Sequence, residues 1–137
     1  MLTRTAEHAL RALLYLAQQP EGQVVPAGRI AEATGAPSNY LAKTLQGLAN
    51  AGLVRGTRGR EGGYALVLSA SAITVGAVVA AFDTPAEAER CLLGDRPCAS
   101  DTPCRAHVRW QGARGAALQA MSNLRIQDLL PGVAPQV

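Results

Sequence analysis

The chain has 137 residues, 48% of them hydrophobic but only 4% aromatic, and a formal net charge of +3. That length suits one compact domain or a small domain with an oligomerisation element, and the scarcity of aromatics leaves alanine and leucine to fill a close-packed helical core. No apolar run approaches the roughly 18 residues of a membrane span, and Met1-Leu2-Thr3-Arg4 lacks a signal peptide's apolar stretch. The expectation is a cytoplasmic protein, off the membrane, with reduced thiols.

The charge is uneven. Residues 1–66 hold seven Lys or Arg against four Asp or Glu, and residues 67–137 hold six of each. Basic excess in one half is a weak pointer to nucleic acid. In chain order, Thr3 is placed to cap a helix to about Gln18, with Ala6, Ala9, Leu10, Leu13, Leu14 and Ala17 on one face. Pro20-Glu21-Gly22 breaks it. Pro26 fits the first turn of a second helix that turns Ile30 and Ala31 inward and stops at Gly35. Ser38 then caps a third helix to about Asn50, with Leu41, Leu45 and Leu48 inward and Gly52 just past its end. Two short helices joined by a tight Gly-containing turn predict a helix-turn-helix.

Leu53-Val54-Arg55 and Tyr64-Ala65-Leu66-Val67 read as short strands flanking Gly56-Thr57-Arg58-Gly59-Arg60-Glu61-Gly62-Gly63. A Gly-rich hairpin with arginine at its tip is a wing, because glycine lets backbone approach DNA closely and arginine enters the electronegative minor groove. A nucleotide-phosphate loop would need Gly-Lys-Ser/Thr and a following helix, and neither is present. Thr74 caps a fourth helix through Ala81. A long helix from about Pro103 to Ser122 carries Trp110, Ala113, Ala117, Met121 and Leu124 at spacings of three and four. That stripe is too long for the small winged domain to cover, so a second copy is expected on it.

Cys91, Cys98 and Cys104 fall within fourteen residues, and His107 follows three positions later. Thiolates and an imidazole in one loop suit a soft or borderline metal ion or an iron–sulfur cluster, and an odd cysteine count argues against a simple disulfide framework. Structural zinc is an alternative, although zinc cysteines usually lie two to four residues apart, and these gaps are six and five. A cluster-free thiol switch is another. An electron-transfer protein would leave the wing and helix-turn-helix without a purpose. No nucleophile–base set or organic-cofactor fingerprint is present, so neither an enzyme nor an organic substrate is expected.

Several stretches together resemble the Rrf-type winged-helix regulators, the bacterial family that includes IscR-like and NsrR-like proteins. They are Leu2-Thr3, Ser38-Asn39-Tyr40-Leu41, Gly52-Leu53-Val54, the wing sequence Arg58-Gly59-Arg60-Glu61-Gly62-Gly63-Tyr64, the cysteine triplet after Ala81-Phe82-Asp83, and Ile126-Gln127-Asp128-Leu129. The first cysteine gap is one residue longer than in the IscR-like members. The resemblance implies a mainly α fold, a winged helix-turn-helix with a long C-terminal dimerisation helix. It also implies a homodimer on a partly palindromic double-stranded DNA operator, with affinity set by an iron–sulfur cluster.

On that reading residues 1–82 are the DNA-binding domain, 83–107 the cluster loop, 103–130 the dimerisation helix and closing segment, and 131–137 a frayed tail. Ser38, Asn39, Tyr40 and Lys43, on the first turn and exposed side of the recognition helix, are the expected DNA contacts, with Arg58 and Arg60 on the wing. Cys91, Cys98 and Cys104 are the expected thiolate ligands. Two residues compete for the fourth place. His107, followed by Trp110 as in IscR-like proteins, favours a 2Fe–2S cluster. Glu7, at the place of the acidic ligand that the partner subunit supplies in NsrR-like proteins, favours 4Fe–4S. His8 receives no role.

Overall fold

A computed structural model describes residues 2–84, 90–93 and 103–132; Cys98 and the end of the tail lie outside them. Helix α1 spans Arg4–Ala17, with the Thr3 hydroxyl accepting the Ala6 N–H as its cap. Its inward face is Ala6, Ala9, Ala12, Leu13 and Leu16. Three alanines on one face let neighbouring helices approach closely, and α1 packs on four other elements and on the closing turn.

Helix α2 spans Ala27–Thr34 and α3 Ser38–Asn50. Gly35, at φ +69°, makes the turn between them, a conformation glycine adopts without a Cβ penalty. Two cap expectations change. Pro26 stands at the N-cap of α2 rather than in its first turn, because Val25 is tied to Tyr64 by a pair of backbone hydrogen bonds that hold this stretch extended. Ser38 is the first residue of α3 and not its cap; Pro37 occupies the cap and its carbonyl accepts the Leu41 N–H.

Strands β1 (Val54–Thr57) and β2 (Gly63–Leu66) pair antiparallel, with Val54 opposite Leu66 and Thr57 opposite Gly63. The turn between them is the wing. Val25 forms an isolated antiparallel bridge to Tyr64. A Cβ on Gly63 would stand 2.2 Å from the Val25 carbonyl oxygen, so only glycine allows this close approach.

Helix α4 (Val75–Phe82) is capped by the Thr74 hydroxyl, which accepts the Ala77 N–H. Helix α5 spans His107–Asn123, starting four residues later than expected. The Cys104–Ala106 stretch forms a turn instead, in which the Cys104 carbonyl accepts the His107 N–H. After α5 the chain folds back. Ile126 donates to the Ile73 carbonyl, Val75 donates to the Leu124 carbonyl, and the 3-10 turn Ile126–Leu129 seats a fully buried Ile126 in the core of the winged domain.

The α5 stripe differs from expectation. Met121 and Leu124 pack on the domain's own core, and Trp110 faces its own chain, while Ala113 is exposed. Truncating Ile126, which holds the closing turn down, should cost about 2–5 kcal/mol, the usual range for a buried Ile→Ala change. Urea unfolding of Ile126→Ala checks this, with a midpoint unchanged from wild type as the contrary result.

Candidate functional site

The recognition helix and wing form one surface. Ser38, Asn39 and Lys43 are exposed along one side of α3, and Arg58 and Arg60 are exposed at the wing tip. Between helix and wing lies a cleft of about 460 Å³ whose lining includes Gln46, Ala49, Thr57, Arg58 and Tyr64. Gln46 was not among the expected contacts. Its spacing from Asn39 and Lys43, seven and three residues, puts it on their face, which is the signal that could have found it. At the start of α3 the N-cap Pro37 makes no side-chain cap hydrogen bond, and the Tyr40 N–H donates to the Asn39 Oδ1 at 2.9 Å.

Tyr40 is placed differently from its neighbours. Its hydroxyl shares a hydrogen bond with the Thr5 hydroxyl, and its ring meets His8 edge-on, with centroids 5.5 Å apart. Among the described residues the buried Nδ1 of His8 has no hydrogen-bond partner. Tyr40 therefore joins the recognition helix to α1, a contact between residues 32 and 35 positions apart that sequence patterns do not register.

The cysteine site sits at the start of α5. Cys91 is buried and Cys104 half-buried, with their sulfurs 3.6 Å apart. A disulfide would bring them to about 2.05 Å, so the two are thiols in contact. The segment bearing Cys91 is pinned to α5, because the Trp110 indole N–H donates to the Arg90 carbonyl at 2.9 Å and Arg114 donates to the same oxygen at 3.4 Å. Trp110, the chain's only tryptophan, thus seats Cys91, a role that long-range pairing hid from the sequence.

His107 is half-buried on the first turn of α5, and Glu7 is exposed on the first turn of α1. Among the described residues no three His, Cys, Asp or Glu side chains are gathered closely enough to hold a metal ion. The structure therefore brings together Cys91 and Cys104, does not complete a ligand set with either candidate fourth ligand, and leaves Cys98 outside the described residues.

A helix-turn-helix, an arginine-tipped wing and a polar cleft between them define a winged-helix DNA-binding protein. Residues 2–132 match the Rrf2 family, described as an iron-dependent transcriptional regulator, and the chain belongs to that family. It is 32% identical over 129 residues to the transcriptional regulator IscR of Vibrio cholerae, covering 94% of this chain and 74% of that one. The IscR of Yersinia pseudotuberculosis is 33% identical, with 94% and 78% covered. Among solved structures, T. potens IscR superposes with a TM-score of 0.74 at 21% identity, covering 94% of this chain and 85% of that one, which is a likeness of fold. The oxidized form of Staphylococcus aureus CymR superposes at 0.75 with 25% identity and 98% and 99% covered.

The protein is thus an IscR-like, DNA-binding transcriptional regulator and not an enzyme. No helix of the described residues is long and apolar enough to cross a membrane. For the wing, Arg58→Ala should weaken DNA binding by about 1–3 kcal/mol, the range for a good arginine contact, and should flatten the salt dependence by about one unit for each phosphate no longer neutralised. Gel shifts of Arg58→Ala and Arg60→Ala across a salt series measure this; wild-type affinity and slope in both would remove the wing from the interface.

Proposed function

We propose that the protein is a cytoplasmic homodimer that binds a partly palindromic operator with an affinity set by an iron–sulfur cluster. Cys91, Cys98 and Cys104 hold the cluster, with His107 or Glu7 of the partner subunit as the fourth ligand. The observation that carries this reading is the 3.6 Å separation of the Cys91 and Cys104 sulfurs. Two thiolates each about 2.3 Å from one tetrahedral centre lie about 3.8 Å apart, so this pair fits a single metal centre. Four ligands serve two irons in a 2Fe–2S cluster, two per iron, whereas each iron of a 4Fe–4S cluster takes one. The spacing thus favours 2Fe–2S, and with it His107, whose place near Cys104 is local. When bound, the cluster supplies one-electron redox chemistry, and a non-thiolate ligand raises its potential.

The protein's own residues carry the signal onward. Trp110 and Arg114 tie the Cys91 segment to α5, and α5 lies against α4. Helix α4 in turn packs on α1 and α3. A shift of the cysteine segment is thereby passed to the recognition helix. In DNA binding, Ser38, Asn39 and Lys43 approach bases and phosphates, Arg58 and Arg60 flank the minor groove, and Tyr40 holds the helix at its angle while contacting the backbone.

Dimerisation rests on α5, a helix of 17 residues with none fully buried in its own chain. Its outward side offers Val108, 82% exposed, with Gly112 and Ala116 on the same face. A second copy on that face sets the two recognition helices about one turn of DNA, roughly 34 Å, apart. The seam is therefore the outward side of α5 and not the Trp110–Leu124 stripe. Ala116→Glu should yield monomers in light scattering and lose binding to a two-half-site operator; a dimer that still binds would contradict this seam.

Anaerobic purification tests the cluster. A brown protein with iron and sulfide in equal amounts is expected, and a colourless one with stoichiometric zinc would establish the structural-metal alternative. Cys91→Ser, Cys98→Ser and Cys104→Ser should each lose the chromophore. His107→Ala should shift the resonance Raman spectrum while Glu7→Ala leaves it unchanged; the reverse pattern would assign the fourth position to Glu7.

A further inference from the structure

We infer that Cys104 and Cys91 also form a peroxide-responsive dithiol pair in cluster-free protein, with Cys104 oxidised first and Cys91 closing an intramolecular disulfide. This goes beyond the cluster reading and does not depend on it, because it rests on the placement of two thiols. Their sulfurs are 3.6 Å apart, so each needs to move by less than about 1 Å to reach bonding distance. Cys104 stands on the turn ahead of α5, outside the helix itself, so the closing movement is a rotation of its side chain.

Burial separates their roles. Cys91 is 3% exposed, whereas Cys104 is half-buried. An oxidant from solvent meets Cys104 first, since thiol oxidation follows access as well as thiolate character. Cys91 cannot be reached from outside but is already in contact with the sulfur it must attack. Its segment is held in place by the hydrogen bond from Trp110 to the Arg90 carbonyl, so the resolving thiol does not have to be found by a search through loop conformations.

With hydrogen peroxide as the oxidant, the Cys104 thiolate attacks one peroxide oxygen. The O–O bond breaks, and the leaving oxygen departs as water after taking a proton. The Cys91 thiolate then attacks the sulfur of the Cys104 sulfenic acid. The S–S bond forms, the S–O bond breaks, and the hydroxide leaves as a second water with the remaining proton. In total, two thiols give two electrons and two protons to one peroxide, yielding one disulfide and two waters.

The test uses the full chain, stripped of metal by chelator and reductant under anaerobic conditions, desalted, and treated with one equivalent of hydrogen peroxide. Peptide mapping without reductant should find the Cys91–Cys104 cross-link, and Cys98→Ser should form it at the wild-type rate. Cys104→Ser should slow peroxide-dependent thiol loss by about tenfold or more. Cys91→Ser should accumulate a sulfenic acid on Cys104 that dimedone traps. Trp110 emission should change in step with cross-linking in wild type and stay constant in Cys91→Ser, whose fold is verified by circular dichroism.

A main product containing Cys98, a cross-link between subunits, or an unslowed Cys104→Ser would overturn the inference. Iron content is read on a separate aliquot. A protein that forms this disulfide but never binds iron keeps the inference and loses the cluster; one that binds iron but leaves the pair unlinked does the reverse.

Discussion

Much of the described fold is placed by how closely other elements can approach α1. Its buried side is Ala6, Ala9 and Ala12 with Leu13 and Leu16, so α2, α3, α4, β2 and the closing 3-10 turn all pack on it. Close-packed interiors transmit small displacements, because there is no free volume to absorb them. The outer end of α1 also touches the recognition helix directly, through Thr5 and His8 on Tyr40. A change in the tilt of α1 would therefore change the tilt of α3.

The path from that core to the cysteine pair runs through close approaches at two helix crossings. At α3 against α4, a Cβ on Gly47 would stand 2.6 Å from the Phe82 ring. At α4 against α5, a Cβ on Gly76 would stand 3.1 Å from the Ser122 Cα. The first crossing can yield by moving a ring edge; the second meets backbone and is stiffer. Beyond it, α5 reaches the Cys91 segment through Trp110. The cysteine site and the helix-turn-helix are thus joined by contiguous packing.

The sequence carried most of this fold because its signals are local. Thr3 and Thr74 cap the helices they were expected to cap, Gly35 turns where a turn was needed, and the wing pairs in the expected place. Errors arose where a contact distant along the chain overrode a local rule. Pairing of Val25 with Tyr64 drew Pro26 out of its helix. Core contacts of Met121 and Leu124 turned inward a stripe that periodicity alone assigned to a partner. At the cysteine site, clustering showed that the thiols mattered, but only the fold shows that Cys91 and Cys104 touch and that Trp110 seats one of them. Tyr40 looked like a DNA contact by position, and the bond to Thr5 gives it a second task.

On the proposed function, the occupant of the cysteine site sets operator affinity through this packing. The deciding measurement titrates one preparation of the protein onto its operator by fluorescence anisotropy before and after anaerobic removal of the cluster. Kd should change by about tenfold, within the usual range of coupling between two sites, while non-specific binding to unrelated DNA stays the same. Equal operator affinities in the two forms would contradict it.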